Sequence, residues 1–441
     1  MTNHRSPLNA QNSRRSFLKQ VTAAGIGTAF LSSEVVGRSR SALETVNIAC
    51  VGVGGKGSSD MGETAVNNNI VAICDVDEGR LGNAAKRFGK AQKYTDWRKL
   101  LEQKDIDAVT VSTPDHMHAP VSLAAMDLKK HVYTQKPLTN TVAEARKLTE
   151  AAAKHGVVTQ MGTQHHSTAR IKNSIELVQS GVIGKVKEVH TWTDRPGHFW
   201  KQGLTRPNKS DAVPASLHWD LWLGVAPKRP FVAGLYHPFH WRGWWDFGTG
   251  ALGDMGCHIF DPVFSALELG APQTVSAKGP KPDKESGPLW CEVTYTFPAT
   301  KYAANDCKVV WYEAGRQPKR EIMLAPKDWP GSKNGVLFVG EKGNVFVGFP
   351  EKAELFPKVD FANHKMPENN DNNHYQQWTE AIKGNGKTSC PFSYAGPMTE
   401  AVLLGNVAYR SESAIRWNAK KMTTGNEQAD ALIQREYRQG W

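Results

Sequence analysis

From Val46 onward the hydrophobic and polar positions of the chain alternate between two periods. Five short apolar runs, VNIACVG, NIVAICD, AVTVST, HVYTQKP and VVTQMGT, have the length and composition of strands. Between them VGGKGSSDMGETAV, DEGRLGNAAKRFG, HAPVSLAAMDLKK and TVAEARKLTEAAAKHG read as helices. Strand–helix alternation of this kind predicts a parallel sheet with helices on both faces.

Beyond about Thr163 the pattern changes. A helix, RIKNSIELVQSG, and a strand, KVKEVHTWT, precede a long Trp- and Pro-rich stretch from Arg195 to Gly250. A connection of that length is functional or disordered, and its aromatic content opposes disorder. Then LWCEVTYTF, CKVVWYE, REIMLA, GVLFVG and GNVFVGF predict strands of an antiparallel sheet. HYQQWTEAIKG and GPMTEAVLLGNVAYRSES predict closing helices, and ENNDNN at 368–373 reads as a loop.

The first 42 residues stand apart. SRRSFLKQ at 13–20 runs into VTAAGIGTAFL, an apolar stretch shorter than the roughly 20 residues that span a bilayer. The pair of arginines followed by Phe-Leu-Lys resembles a twin-arginine export signal, with small residues at Ser41 and Ala42 for cleavage. The expectation is a protein exported already folded, periplasmic or otherwise exported by that route, with no further segment to hold it in a membrane.

Charge and cysteines narrow the partners. The 441 residues carry a net charge of +11, and removing 1–42 takes away six basic residues and one acidic, leaving +6. No Lys/Arg block recurs, and aromatics do not interleave with basic residues, so a nucleic-acid groove is not expected. Cysteines at 50, 74, 257, 291, 307 and 390 form no C-x-x-C, which indicates neither a zinc cage nor a disulfide framework. His116, His118, His165 and His166 lack the spacing of a metal site, and no metal is expected.

Gly52-Val-Gly54-Gly55-Lys56-Gly57 gives G-x-G-x-x-G directly after the first strand, and Asp75 ends the second strand eighteen residues beyond Gly57. In that context the glycines permit a tight turn and close approach of a pyrophosphate to a helix N-terminus, and Asp75 accepts from the ribose hydroxyls. No arginine follows Asp75 directly, which favours NAD; Arg80 leaves NADP open. Ser112-Thr-Pro-Asp-His-Met-His118 and Thr134-Gln-Lys-Pro137 lie at later strand ends, where ligands bind in such sheets. In Gly248-Thr-Gly-Ala-Leu-Gly-Asp-Met-Gly-Cys-His258, a glycine-rich turn entering an apolar helix, Asp254 and His258 are four apart and share a helix face.

In order and spacing these motifs resemble the Gfo/Idh/MocA family, named for glucose-fructose oxidoreductase and inositol dehydrogenase, and the resemblance covers nearly the whole chain after residue 42. It implies an α/β fold: a Rossmann dinucleotide-binding domain over 43–165, then a substrate-binding α+β domain over 166–441 with a large, mostly antiparallel sheet. It implies that Lys136 hydrogen-bonds the reacting hydroxyl of a sugar or polyol, that His258 takes or returns its proton, and that Asp254 orients the histidine. Thr113 and Pro114 would line the cofactor and His118 the nicotinamide side. The family's usual glutamate before Lys-Pro is Gln135 here, an amide that can still fix the ribose or the lysine. Related proteins pair through the open face of the second sheet, which implies a homo-oligomer.

Sugar rings stack on tryptophan while polar side chains grip their hydroxyls, so the Trp-rich stretch is expected to face a carbohydrate. Arg195, His198, Tyr236, His240 and Arg242 are its candidate substrate residues, and Trp219 and Trp222 are expected to brace it. The leading expectation is an NAD(P)-dependent oxidoreductase acting on a sugar, polyol or sugar derivative. Outside the cytoplasm it would have to retain its cofactor and turn over without net redox change. The alternatives are an NAD-dependent glycosidase working by transient oxidation and elimination, with His258 or a loop tyrosine as base, and a non-catalytic sugar-binding protein.

Overall fold

The computed structural model describes residues 44–441; the twin-arginine segment lies outside the described residues. In chain order come β1 (Asn47–Val51), α1 (Lys56–Thr64), β2 (Asn69–Cys74), α2 (Glu78–Arg87), β3 (Gln92–Tyr94), α3 (Trp97–Leu100), β4 (Ala108–Val111), α4 (His118–Asp127), β5 (His131–Thr134), α5 (Val142–His155) and β6 (Thr159–Met161). The strands form one parallel sheet in the order β3-β2-β1-β4-β5-β6. The central strands β1, β4 and β5 are buried almost throughout, because helices cover both faces. Local signals agree: a Thr141–Glu144 capping box opens α5 and a left-handed Gly156 closes it. Strand order reverses at β1 and β4, which opens a crevice at their C-terminal ends.

The rest of the chain builds α6 (Ala169–Gln179), β7 (Val186–Trp192), α7 (Trp219–Leu223), α8 (Gly250–Ile259), α9 (Asp261–Leu267), β8 (Thr274–Lys278), β9 (Glu292–Phe297), β10 (Ala303–Tyr312), α10 (Arg320–Met323), β11 (Gly335–Gly340), β12 (Asn344–Gly348), β13 (Ala353–Phe356), α11 (His374–Lys383), α12 (Phe392–Arg410) and β14 (Ile415–Arg416). Eight strands form a second sheet ordered β13-β12-β11-β7-β10-β9-β8-β14, antiparallel except where β7 meets β10. One face is apolar: Val293, Tyr295 and Phe297 of β9 join Phe260 and Phe264 in the core, while Glu292, Thr294 and Thr296 turn outward.

Two expectations are corrected. REIMLA is not a strand; Arg320–Met323 is the short α10, whose end is held by the Asn344 side-chain amide donating to the carbonyls of Ile322 (2.7 Å) and Met323 (3.2 Å). The glycine-rich run before His258 is not a turn but the body of α8. Its buried residues, Ala251, Leu252, Cys257 and Ile259 among them, outweigh the poor helix propensity of its glycines. Among the described residues all six cysteines are unpaired and buried, and no helix is long and apolar enough to cross a membrane.

The closing helices return to the first sheet. Tyr375, Trp378 and Ile382 of α11 complete the apolar layer formed by Val46, Ile48, Cys50, Met61 and Tyr133. On the opposite side α12 packs on α5, where Arg146 donates to both oxygens of Glu400 at 2.7 Å. The nucleotide-type sheet is therefore sealed by residues more than 200 positions away. Trp378→Ala should lower unfolding stability by roughly 3–5 kcal/mol, read as a fall in the urea midpoint. An unchanged midpoint would mean that α11 is not part of the same cooperative core.

Candidate active site

A cavity of about 460 Å³ lies at the C-terminal ends of β1, β2, β4 and β5 and is walled on its far side by the aromatic stretch. Its first end is the glycine turn. Gly52 has φ +80°, and a Cβ there would stand 2.7 Å from the Ser112 carbonyl oxygen; a Cβ on Gly57 would fall 1.8 Å from the carbonyl oxygen of Gly52. Only glycine lets this turn close and α1 start so near β1 and β4. Gly54, Gly55 and Lys56 line the cavity. Asp75 accepts from the Val53 and Asp77 amides at 3.0 Å each, and burial raises its pKa. Each oxygen keeps a lone pair for a ribose hydroxyl, so this end fits an adenosine dinucleotide. Arg80 lies across Gly54, so close that a Cβ there would be 2.3 Å from its Cδ.

At the other end three side chains from distant segments meet. Lys136, just beyond β5, donates its ammonium to the Asp254 carboxylate at 2.9 Å and to the Asp254 carbonyl at 2.8 Å. Arg242 donates from Nε to the same carboxylate oxygen at 3.2 Å and lies over the rings of Phe239 and Trp241. Burial alone would raise the Asp254 pKa, but Lys136 and Arg242 outweigh it and hold the carboxyl down at about 2. Asp115 lies beside this cluster and lines the cavity. Its Oδ2 accepts from the Thr249 hydroxyl at 2.8 Å and its buried Oδ1 has no partner among the described residues. Burial first, and the Asp254 charge second, push its pKa up to about 7.

His258 lies one turn beyond Asp254 on α8, its ring edge-on to His165 at 5.3 Å between centroids. Burial, and then the charge of Lys136, hold its pKa well below the usual value, so the ring is neutral. Its Nδ1 is buried without a partner. Asp254 is expected to orient this histidine, but its hydrogen bonds go to the two cations, both at Oδ1, and it reaches the imidazole only through its charge, which opposes the lowering of the His258 pKa.

Thr113, Pro114, Gln135, Lys136 and Arg242 line the cavity as expected. His118 does not. It is buried, with Nδ1 2.7 Å from the Pro137 carbonyl and Nε2 2.8 Å from that of Thr113, and so braces the two strand ends from behind. Tyr236 is 1% exposed and packs among Trp219, Trp244 and Phe247, a core residue rather than a substrate contact. Arg195 pairs with Asp194 and stacks on Phe199, as does His198, away from the cavity. His240 packs against Phe239, with its Nδ1 buried and unpartnered. Trp219 and Trp222 stack at 4.7 Å as braces, although Trp222 also reaches the cavity. Among the described residues no group of three or more His, Cys, Asp or Glu is placed to hold a metal ion. Asp115, His237 and Trp241 line the cavity as well, though none stands among the expected site residues. Asp115 had a signal, its place inside the strand-end motif between Pro114 and His118.

Two family models match the chain. One, described as oxidoreductase family, NAD-binding Rossmann fold, covers 46–163, and one described as oxidoreductase family, C-terminal alpha/beta domain, covers 167–441. Among curated proteins the chain is similar to levoglucosan dehydrogenase of Pseudarthrobacter phenanthrenivorans, 24% identical over 43% of this chain and 40% of that protein. It is also similar to inositol 2-dehydrogenase of Salmonella typhimurium, 30% identical over 33% of this chain and 45% of that one. The chain thus spans less than half the length of these curated relatives. Among solved structures, the WlbA dehydrogenase of Bordetella pertussis in complex with NADH and UDP-GlcNAcA has a TM-score of 0.60 at 15% identity, over 85% of this chain and 98% of that one. Levoglucosan dehydrogenase in complex with NADH and L-sorbose gives 0.57 at 17%, over 85% and 99%. At these identities the likeness carries the fold.

Asp115 generates a pH prediction. Its folded pKa of about 7 lies above the ordinary 3.8, so its contribution to stability is complete below about pH 4 and is lost as pH rises through 7. Asp115→Asn keeps an acceptor for Thr249 and removes the ionisation. Between pH 4 and 7 the parent should therefore lose on the order of 2–4 kcal/mol more than the variant, read from paired thermal melts. Parallel melting curves would show that Asp115 titrates normally.

Proposed function

The chain belongs to the Gfo/Idh/MocA oxidoreductase family, and from that membership we propose that it is an NAD-dependent oxidoreductase transferring hydride to or from a sugar, polyol or sugar derivative. The observation that carries this reading is the Lys136–Asp254–Arg242 cluster at one end of a single cavity whose other end is the glycine turn and Asp75. Bound NAD would supply the hydride acceptor. Gly52, Gly54, Gly55, Lys56 and Asp75 are the residues to hold it, with Thr113, Pro114 and Gln135 along its length.

Lys136 commits two of its three donors to Asp254, which fixes the ammonium and leaves the third N–H for a substrate oxygen. A hydroxyl so held is polarised toward losing its proton. Neutral His258, one turn beyond Asp254 on α8 but outside the cavity lining, is the candidate to take that proton in oxidation and return it in reduction. Asp254 hydrogen-bonds the two cations and acts on the imidazole through its charge alone. Arg242, Phe239 and Trp241 form a charged and aromatic wall suited to the C–H face and hydroxyls of a sugar ring.

The export expected from SRRSFLKQ extends the reading to a periplasmic enzyme whose NAD is loaded before export and retained, with one substrate oxidised and a second reduced. The glycosidase alternative loses one of its bases, since Tyr236 is a core residue. Pairing of copies through the outward face of the second sheet, where Thr294 and Thr296 lie, belongs to the same proposal.

Protein as purified should carry the mass and reduced-nicotinamide absorbance of a bound dinucleotide and convert sugar pairs without added NAD. Lys136→Ala should lower kcat roughly 10²-fold or more while NAD binding stays near that of the parent. An unimpaired Lys136→Ala variant would remove the catalytic assignment. Release of aglycone from aryl glycosides without added NAD would replace the oxidoreductase reading with the glycosidase.

A further inference from the structure

Beneath the glycine turn lies a polar network that hydride transfer does not use. Its centre is Asp60, one turn into α1 and 0% exposed. Oδ2 accepts from the Ser112 hydroxyl beyond β4 and from the Gln135 amide beyond β5, both at 2.8 Å. Oδ1 accepts from the Lys56 ammonium and, at 2.9 Å, from the Tyr375 hydroxyl of α11. The same ammonium donates to the Tyr375 oxygen at 2.5 Å. One carboxylate thus ties the nucleotide loop, two strand ends and a C-terminal helix together. The Gln135 amide has little room to turn away, because a Cβ on Gly162 would stand 2.6 Å from its Cδ.

This geometry dictates the chemistry of position 135. Asp60 has no further need of charge and every need of donors, and Gln135 supplies one. A glutamate of the same shape would face Asp60 across a hydrogen-bond distance, and two buried carboxylates so close cannot both ionise. We propose that Asp60 is a positioning residue for nucleotide binding: it fixes the Lys56 ammonium at the cavity and, through Gln135, the strand end that carries Lys136. Gln135 is an amide because Asp60 already provides the carboxylate. The pair carries one negative charge, on the carboxylate that holds Lys56, and that charge cannot be doubled.

The proposal rests on the cavity holding NAD and not on hydride transfer. The test is the NAD dissociation constant of the full chain, stripped of nucleotide, measured near pH 6 and pH 8 for the parent, Gln135→Glu and the exchange Asp60→Asn/Gln135→Glu. Gln135→Glu should weaken NAD roughly 10-fold or more, and more at the higher pH, where the shared proton is lost. The exchange should bind NAD more tightly than Gln135→Glu, though less tightly than the parent because Asp60→Asn no longer holds Lys56 by charge, and should abolish the pH dependence. A purely space-filling residue would leave Gln135→Glu like the parent at both pH values, which overturns the proposal. So does an exchange no better than the single variant. If Gln135→Glu does not fold, recovery of folding and NAD binding in the exchange supports charge matching, and failure to recover refutes it. A parent that binds no NAD would defeat the nucleotide reading itself, and this proposal with it.

Discussion

The carboxylate of Asp254 is the interaction on which the arrangement of the candidate site depends. A buried carboxylate is costly unless paired, and this one is paired twice, by Lys136 from the end of β5 and Arg242 from the aromatic stretch. The parallel sheet, α8 and the long connection therefore meet at one point and in one orientation. The remaining electrostatics follow in order. Two cations keep Asp254 ionised, the Asp254 charge together with burial keeps Asp115 protonated to about pH 7, and burial with Lys136 keeps His258 neutral. An anion, a protonated carboxyl and a neutral imidazole stand within one small region, each in a different protonation state because of its neighbours.

What could be read from the sequence is what periodicity and context fix. Alternating strands and helices determine that strand ends converge on one edge, so the pattern itself brings Gly52, Asp75, Thr113, Pro114, Gln135 and Lys136 together along one cavity. The aromatic stretch has no such period. Tyr236 and Trp241 are five residues apart, yet one lies in a closed aromatic core and the other reaches the cavity wall, and nothing in their spacing separates them. Arg195 and His198 have the chemistry of substrate residues but pack on a local partner, Phe199. Asp254 and His258 share one helix, as their spacing predicts, but helical spacing tells which residues share a face, not which distant cation pairs with them. Lys136 is 118 residues away.

Asp60 and Asp254 form two centres on either side of a single dipeptide. Gln135 donates to Asp60 within the nucleotide-binding domain, and Lys136 donates to Asp254 on α8. Successive residues leaving a strand point to opposite sides, so the end of β5 reaches both centres without any intervening flexible segment. Displacement of the loop at Lys56 is therefore opposed by the same strand end that holds the candidate catalytic lysine. Tyr375 extends the constraint to α11, which completes the core behind the first sheet. A nucleotide seated on this turn would rest on a floor secured from α1, β4, β5 and α11 together. Local opening of the loop would then require breaking bonds to all four, whereas ligand-binding loops are ordinarily drawn from the less stable parts of a fold.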